Sequence, residues 1–100
     1  MNAFTISETA TVRITDRQVA CVVADETVIL QLREGVYYGL NTVGTCVWQA
    51  AQSSCRVEQI VDAVVREFDV SRERCLADVR ELLSDLERHE LITLSAGATP

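Results

Sequence analysis

The sequence predicts an α+β domain, a small three-stranded antiparallel sheet followed by three helices. Three observations predict it. Alternating β-branched runs separated by short polar breaks fill residues 19–40; helical apolar spacing takes over from residue 42; and a single cap residue, Asn41, joins the two regimes. One hundred residues, 48% of them apolar, suit one globular domain with a real core.

Residues 1–10 are polar except for Phe4 and Ile6 at strand spacing, which fits either a flexible arm or an extra edge strand. The domain proper is expected over residues 11–94, with residues 95–100 a flexible tail. Thr11–Thr15 alternates weakly, as a short strand or an extended lead-in. Asp16-Arg17-Gln18 turns the chain into Val19–Ala24, the first strand of the meander, and Asp25-Glu26 is a polar break of hairpin length. Thr27–Leu32 is the second strand, with Val28, Leu30 and Leu32 alternating as one face requires. Arg33-Glu34-Gly35 is a tight connection in which Gly35 can take a positive φ. Val36–Leu40 is the third strand. Tyr37 and Tyr38 are adjacent on it, so their rings point to opposite faces and at least one lies outside the core. A sheet this small is not stable alone; the helices are expected to cover its apolar face.

Asn41 is a favoured N-cap for a first helix over Thr42–Ala51, with Val43, Val47 and Ala50 on one face and Cys46 and Trp48 widening it. The second helix covers Val57–Phe68, where Val57, Ile60, Val61, Val64 and Phe68 keep helical spacing. Ser71 caps the third, Arg72–His89, with Glu73 in its first turn. Its stripe of Cys75, Leu76, Val79, Leu82, Leu83 and Leu86 spans about 120° at ~100° per residue, with Cys75 and Leu82 on one edge. That is broad enough to bury one edge and offer the other to a groove. Leu91–Leu94 fits a final short strand.

The chemistry that the sequence excludes is informative. The only histidine, His89, ends the third helix, where a cation suits the helix dipole, and no Ser-His-Asp or Cys-His set can be built around it. Cys21, Cys46, Cys55 and Cys75 have no C-x-x-C spacing, so they read as small buried hydrophobes of a reducing compartment and not as metal ligands. The four glycines make no phosphate-binding pattern. No catalytic, metal or cofactor site is predicted. The absence of an apolar run of roughly 18 to 20 residues and of a signal-peptide layout points to a cytoplasmic protein with no membrane partner. Net charge is −6 and every basic residue is arginine. An acidic surface repels phosphate backbones.

Two readings of function remain. An exposed strand edge can accept a further strand from a peptide, beside the broad apolar stripe of the third helix. Alternatively, helices after a hairpin resemble a winged helix-turn-helix DNA-binding regulator. Here the third helix sets Glu73, Asp78, Glu81, Asp85 and Glu87 against Arg72, Arg74, Arg80 and Arg88, so acid cancels base and no nucleic-acid partner is expected.

Tyr38-Gly39-Leu40-Asn41, followed by Gly44 and Trp48, resembles the Y-x-L-N-x-x-G-x-x-[IV]-W core of PqqD-like proteins. Val57-Glu58-Gln59-Ile60 is similar to their second-helix start, with Arg56 where a threonine or serine cap is usual. Phe68-Asp69-Val70, Asp78-Val79, Leu82-Leu83, Leu86 and Leu91-Ile92 are similar to their closing segment. The resemblance covers residues 19–94. It implies a winged-helix-like recognition element for ribosomally made, post-translationally modified peptides, without catalytic residues. The version here is most similar to stand-alone leader-binding proteins of split lasso-peptide systems. A peptide chaperone serving a radical enzyme is the alternative. By resemblance, the leader of a precursor peptide adds to the third strand and lies against the third helix. It would contact Val36, Tyr37, Tyr38 and Gly39 on the strand and Cys75, Asp78, Val79 and Leu82 on the helix, with Leu40 and Trp48 in the core. Further implied partners are a maturation protease of cysteine-protease type and a cyclase.

Overall fold

In the computed structural model, residues 6–53 and 55–95 are described. Their elements run β1 (Thr11–Ile14), β2 (Gln18–Val23), β3 (Glu26–Gln31), β4 (Val36–Leu40), α1 (Thr42–Ala51), α2 (Val57–Glu67), α3 (Arg72–Arg88) and β5 (Ile92–Ser95). The meander is as the sequence predicts: an antiparallel sheet in the order β2-β3-β4, followed by three helices. The outlying strands β1 and β5 pair with each other, antiparallel, with Thr11 opposite Ser95 and Ile14 opposite Ile92. The expected tail begins at Ser95, which ends β5; residues 96–100 lie outside the described residues.

Local chemistry sets the turns and caps. Gly35 takes a φ of +69° in the connection from β3 to β4, and its amide donates to the Gln31 carbonyl at 2.8 Å. Asn41 Oδ1 accepts from the Gly44 amide at 2.9 Å, and Ser71 Oγ accepts from the Arg74 amide at 3.2 Å. Arg56 offers no side-chain acceptor at the start of α2; there Gln59 Oε1 accepts from the Arg56 amide at 2.8 Å instead.

The chain ahead of β2 is built into the core. Ile6, Ala10 and Val12 are buried, and backbone bonds from Val12 to Cys55 (2.8 Å) and from Val57 to Ala10 (3.0 Å) strap this segment to the start of α2. Residues 1–5 of the expected arm lie outside the described residues.

The helices cover the face of β3 that carries Thr27, Ile29 and Gln31, all fully buried. The run Val28, Leu30, Leu32, which reads as the apolar face of the strand, points the other way. Val28 and Leu32 are exposed, as are Val19, Val23 and Tyr37. Two polar residues occupy this inner face, Thr27 with its hydroxyl paired and Gln31 with its oxygen paired but its buried Nε2 without a partner among the described residues. Thr27 Oγ1 donates to Thr45 Oγ1 of α1 at 2.8 Å, and Gln31 Oε1 accepts from the Glu34 amide at 2.6 Å. Val47, Trp48 and Ala51 of α1, Ile60, Val61 and Val64 of α2 and Cys75, Val79, Leu83 and Leu86 of α3 complete the core.

The two sheet faces therefore differ in what a truncation costs. Ile29→Ala is expected to destabilise the domain by about 2–5 kcal/mol and Val28→Ala by less than about 1 kcal/mol, read by urea denaturation. Equal losses would show that the face carrying Val28 is also covered.

Candidate functional site

Among the described residues, the strand order leaves one long side of β4 without a hydrogen-bonding neighbour in the sheet. A free edge of this kind presents alternate backbone N–H and C=O groups to any extended chain that approaches it. Here the fold sets α3 opposite that end of the sheet, and the two elements meet at one end. Tyr38, half-buried on the inner side of β4, has its hydroxyl 3.0 Å from His89 Nδ1, and the two rings lie in tilted contact with centroids 4.6 Å apart and planes at 37°. His89 is the C-cap residue of α3. The sequence places it correctly at the helix end, but its partner lies 51 residues away and leaves no local signal.

Beyond Tyr38 the two elements separate. An open groove of about 550 Å³ lies between Gly39, Leu40 and Asn41 on one side and Asp78 and Leu82 on the other, with Val43 and Gly44 at its end. It shares Val43, Asp78 and Leu82 with a smaller hollow of about 140 Å³ among the three helices. Val43 and Val47 of α1 form one wall of that hollow and Cys75, Val79 and Leu82 of α3 another. Val64, Phe68 and Val70 close it, because the chain leaves α2 at Phe68 in an extended conformation and carries Val70 across to α3. A volume near 140 Å³ with apolar walls suits one aliphatic or single-ring side chain.

The electrostatics of the hollow disfavour nucleophilic chemistry. Cys75 is buried, and its thiol is pushed up first by that burial and then by the Asp78 carboxylate, with Arg72 opposing. Burial likewise raises the Cys46 and Cys55 thiols. Among the described residues no three His, Cys, Asp or Glu side chains come together as a metal site requires, and no helix is long and apolar enough to cross a membrane. The arginines of α3 sit among carboxylates and do not form a cluster of their own: Arg72 lies beside Asp62 and Glu8, Arg74 near Asp78 and Arg88 beside Asp85, while Arg80 donates to the Ile6 carbonyl at 2.8 Å. The helix consequently shows no basic face for a phosphate backbone.

Of the residues singled out from the sequence, Cys75, Asp78, Val79 and Leu82 meet at the hollow, and Gly39 joins Asp78 and Leu82 along the groove. Val36, Tyr37 and Tyr38 line neither cavity; they lie along the same free edge. Tyr37 is 68% exposed on the open sheet face, in register with Leu30 and, beyond it, Val19. Leu40 and Trp48 are buried, as expected for core residues. Val43, Val47, Val64, Phe68 and Val70 also line the hollow, although apolar spacing alone marks them only as helix-face or connecting residues. Val43 is 40% exposed in the first turn of α1, an exposure that its place on the apolar face of that helix does not reveal.

A small winged-helix-like domain with an open strand edge beside the apolar stripe of an amphipathic helix defines the class, and the comparisons supply the family. The family described as coenzyme PQQ synthesis protein D (PqqD) matches residues 26–92, and the chain belongs to it. The structure of TbiB1 in complex with the TbiA(beta) leader peptide aligns with a TM-score of 0.76 at 37% identity, covering 87% of this chain and 99% of that one. Lasso peptide synthetase B1 complexed with the leader peptide aligns with a TM-score of 0.73 at 18% identity, covering 82% and 96%, a likeness of fold. No curated protein matches the sequence.

The Tyr38–His89 contact joins the two sides of the groove, and its weight can be measured. Tyr38→Phe keeps the ring contact and removes one part-buried hydrogen bond, so a loss of about 1 kcal/mol in urea denaturation is expected. No loss would show that the bond contributes nothing net.

Proposed function

We propose that this protein is a non-catalytic recognition element that captures the leader of a precursor peptide in lasso-peptide biosynthesis. The observation that carries the reading is the free edge of β4 set beside an apolar groove and hollow on α3. An incoming leader adds as a strand to β4, and backbone hydrogen bonds fix its register. Side chains on its groove side then meet Leu82 and enter the hollow over Cys75 and Val79. Val36, Tyr37, Tyr38 and Gly39 present the edge, and Asp78 stands between the groove and the hollow. The relative at 37% identity was solved with a leader peptide bound, which supports the same ligand class here.

The recognition domain expected over residues 11–94 also takes in Ile6 and Ala10, which are buried in its core. In the cytoplasm it would hold the leader while a separate protease of cysteine-protease type removes it and a cyclase closes the product. The chain needs no reacting group of its own for this role. Its contribution is to raise the local concentration of the substrate and hold it in an extended form.

The test is fluorescence anisotropy with a labelled TbiA(beta) leader, the peptide bound by the relative at 37% identity, against its scrambled sequence and a random DNA duplex. Saturable binding of the true leader alone is the expected result. Leu82→Glu should weaken it about tenfold or more without unfolding the domain, because Leu82 is only half-buried. Binding of the duplex in preference to the leader would overturn the reading in favour of a DNA-binding protein.

A further inference from the structure

The groove and the hollow meet at a single charged side chain. Asp78 lines both, and every other residue lining either one is apolar except Asn41. Its side chain is 67% exposed, and its one ion-pair partner among the described residues is Arg74, whose Nε stands 4.0 Å away on a side chain that is itself 80% exposed. An exposed pair at that separation contributes little and is easily exchanged for a better partner. The charge is also felt inside the site, since Asp78 is the second cause of the raised Cys75 thiol.

We propose that Asp78 is a specificity-determining residue that reads a lysine or arginine in the bound peptide, placed between the segment paired with β4 and the apolar residue that fills the hollow. The inference rests on the peptide-binding reading above and adds to it the chemical class of leader preferred. A peptide running from the edge of β4 to the hollow passes Leu82 and Asp78, which border both spaces. An apolar side chain at that point would strip water from the carboxylate and give nothing back. An acidic one would meet a like charge on a chain that already carries a net charge of −6. A cationic one gains a charge-assisted hydrogen bond while its aliphatic stem lies on Leu82 and Val43.

The experiment is a selection from a displayed library of random 15-residue peptides on the full chain and on its Asp78→Asn and Asp78→Lys variants, with circular dichroism to verify that each variant is folded. Wild-type protein should enrich lysine or arginine at one fixed spacing from an apolar residue. Asp78→Asn should keep the apolar residue and lose the cation, and Asp78→Lys should replace the cation by aspartate or glutamate. A peptide selected on wild type should bind Asp78→Asn about tenfold more weakly at low salt, with the difference shrinking as salt rises. Enrichment of apolar residues alone, or a cation preference that the Asp78 variants leave unchanged, overturns the inference and leaves the groove intact. A wild-type pool with no enrichment over the starting library overturns the peptide-binding reading, and this inference with it.

Discussion

The arrangement depends on the junction at Asn41, where a strand becomes a helix with one residue between them. The Asn41 side chain takes the Gly44 amide, and its backbone carbonyl takes the Thr45 amide at 2.8 Å, so the helix starts without a loop. Gly44 lets it turn back closely: a Cβ there would stand 3.1 Å from the Leu40 Cβ. The helix is thereby committed to the inner face of the sheet, where Thr45 meets Thr27 and Trp48 is buried. The chain leaves the sheet at this junction, and among the described residues no strand pairs with the outer side of β4. The same turn leaves Val43 at the place where the groove and the hollow join. One cap thus fixes both the packing of the core and the opening of the site.

Closure of the domain is a separate matter, achieved at the two ends of the chain. The pairing of β1 with β5 and the strap across the start of α2 hold α2 and α3 against the sheet. The family match begins at residue 26, yet the core begins with Ile6, Ala10 and Val12. These early residues act on the groove only indirectly, by holding the helices that line it.

Features governed by neighbours in sequence were legible in advance. Gly35, Asn41 and Ser71 behave as their side chains dictate, and the helix boundaries fall within a residue or two of those read from apolar spacing. The apolar stripe of α3 was legible, but not which of its residues stay open: Cys75 and Leu82 share one edge, yet Cys75 is buried and Leu82 half-buried, and both border the hollow. What was not legible depends on partners far along the chain. Alternation alone favours Val28, Leu30 and Leu32 as the buried face of β3, yet Thr27, Ile29 and Gln31 are buried. Nothing local reveals that Thr45, 18 residues on, will satisfy the Thr27 hydroxyl. The hollow escaped notice for the same reason, because its walls come from three helices and the connection between two of them.

The burial of Trp48 gives the molecule a built-in optical label. It is the only tryptophan in the chain and 2% exposed, so its indole emits from a dry environment that water reaches only when the core opens. Neither tyrosine of β4 shares that shelter to the same degree, since Tyr37 stands in solvent and Tyr38 lies half-covered against His89. The two chromophore types therefore report on different parts of the domain, the indole on whether it is folded and the phenols on what happens along its open strand.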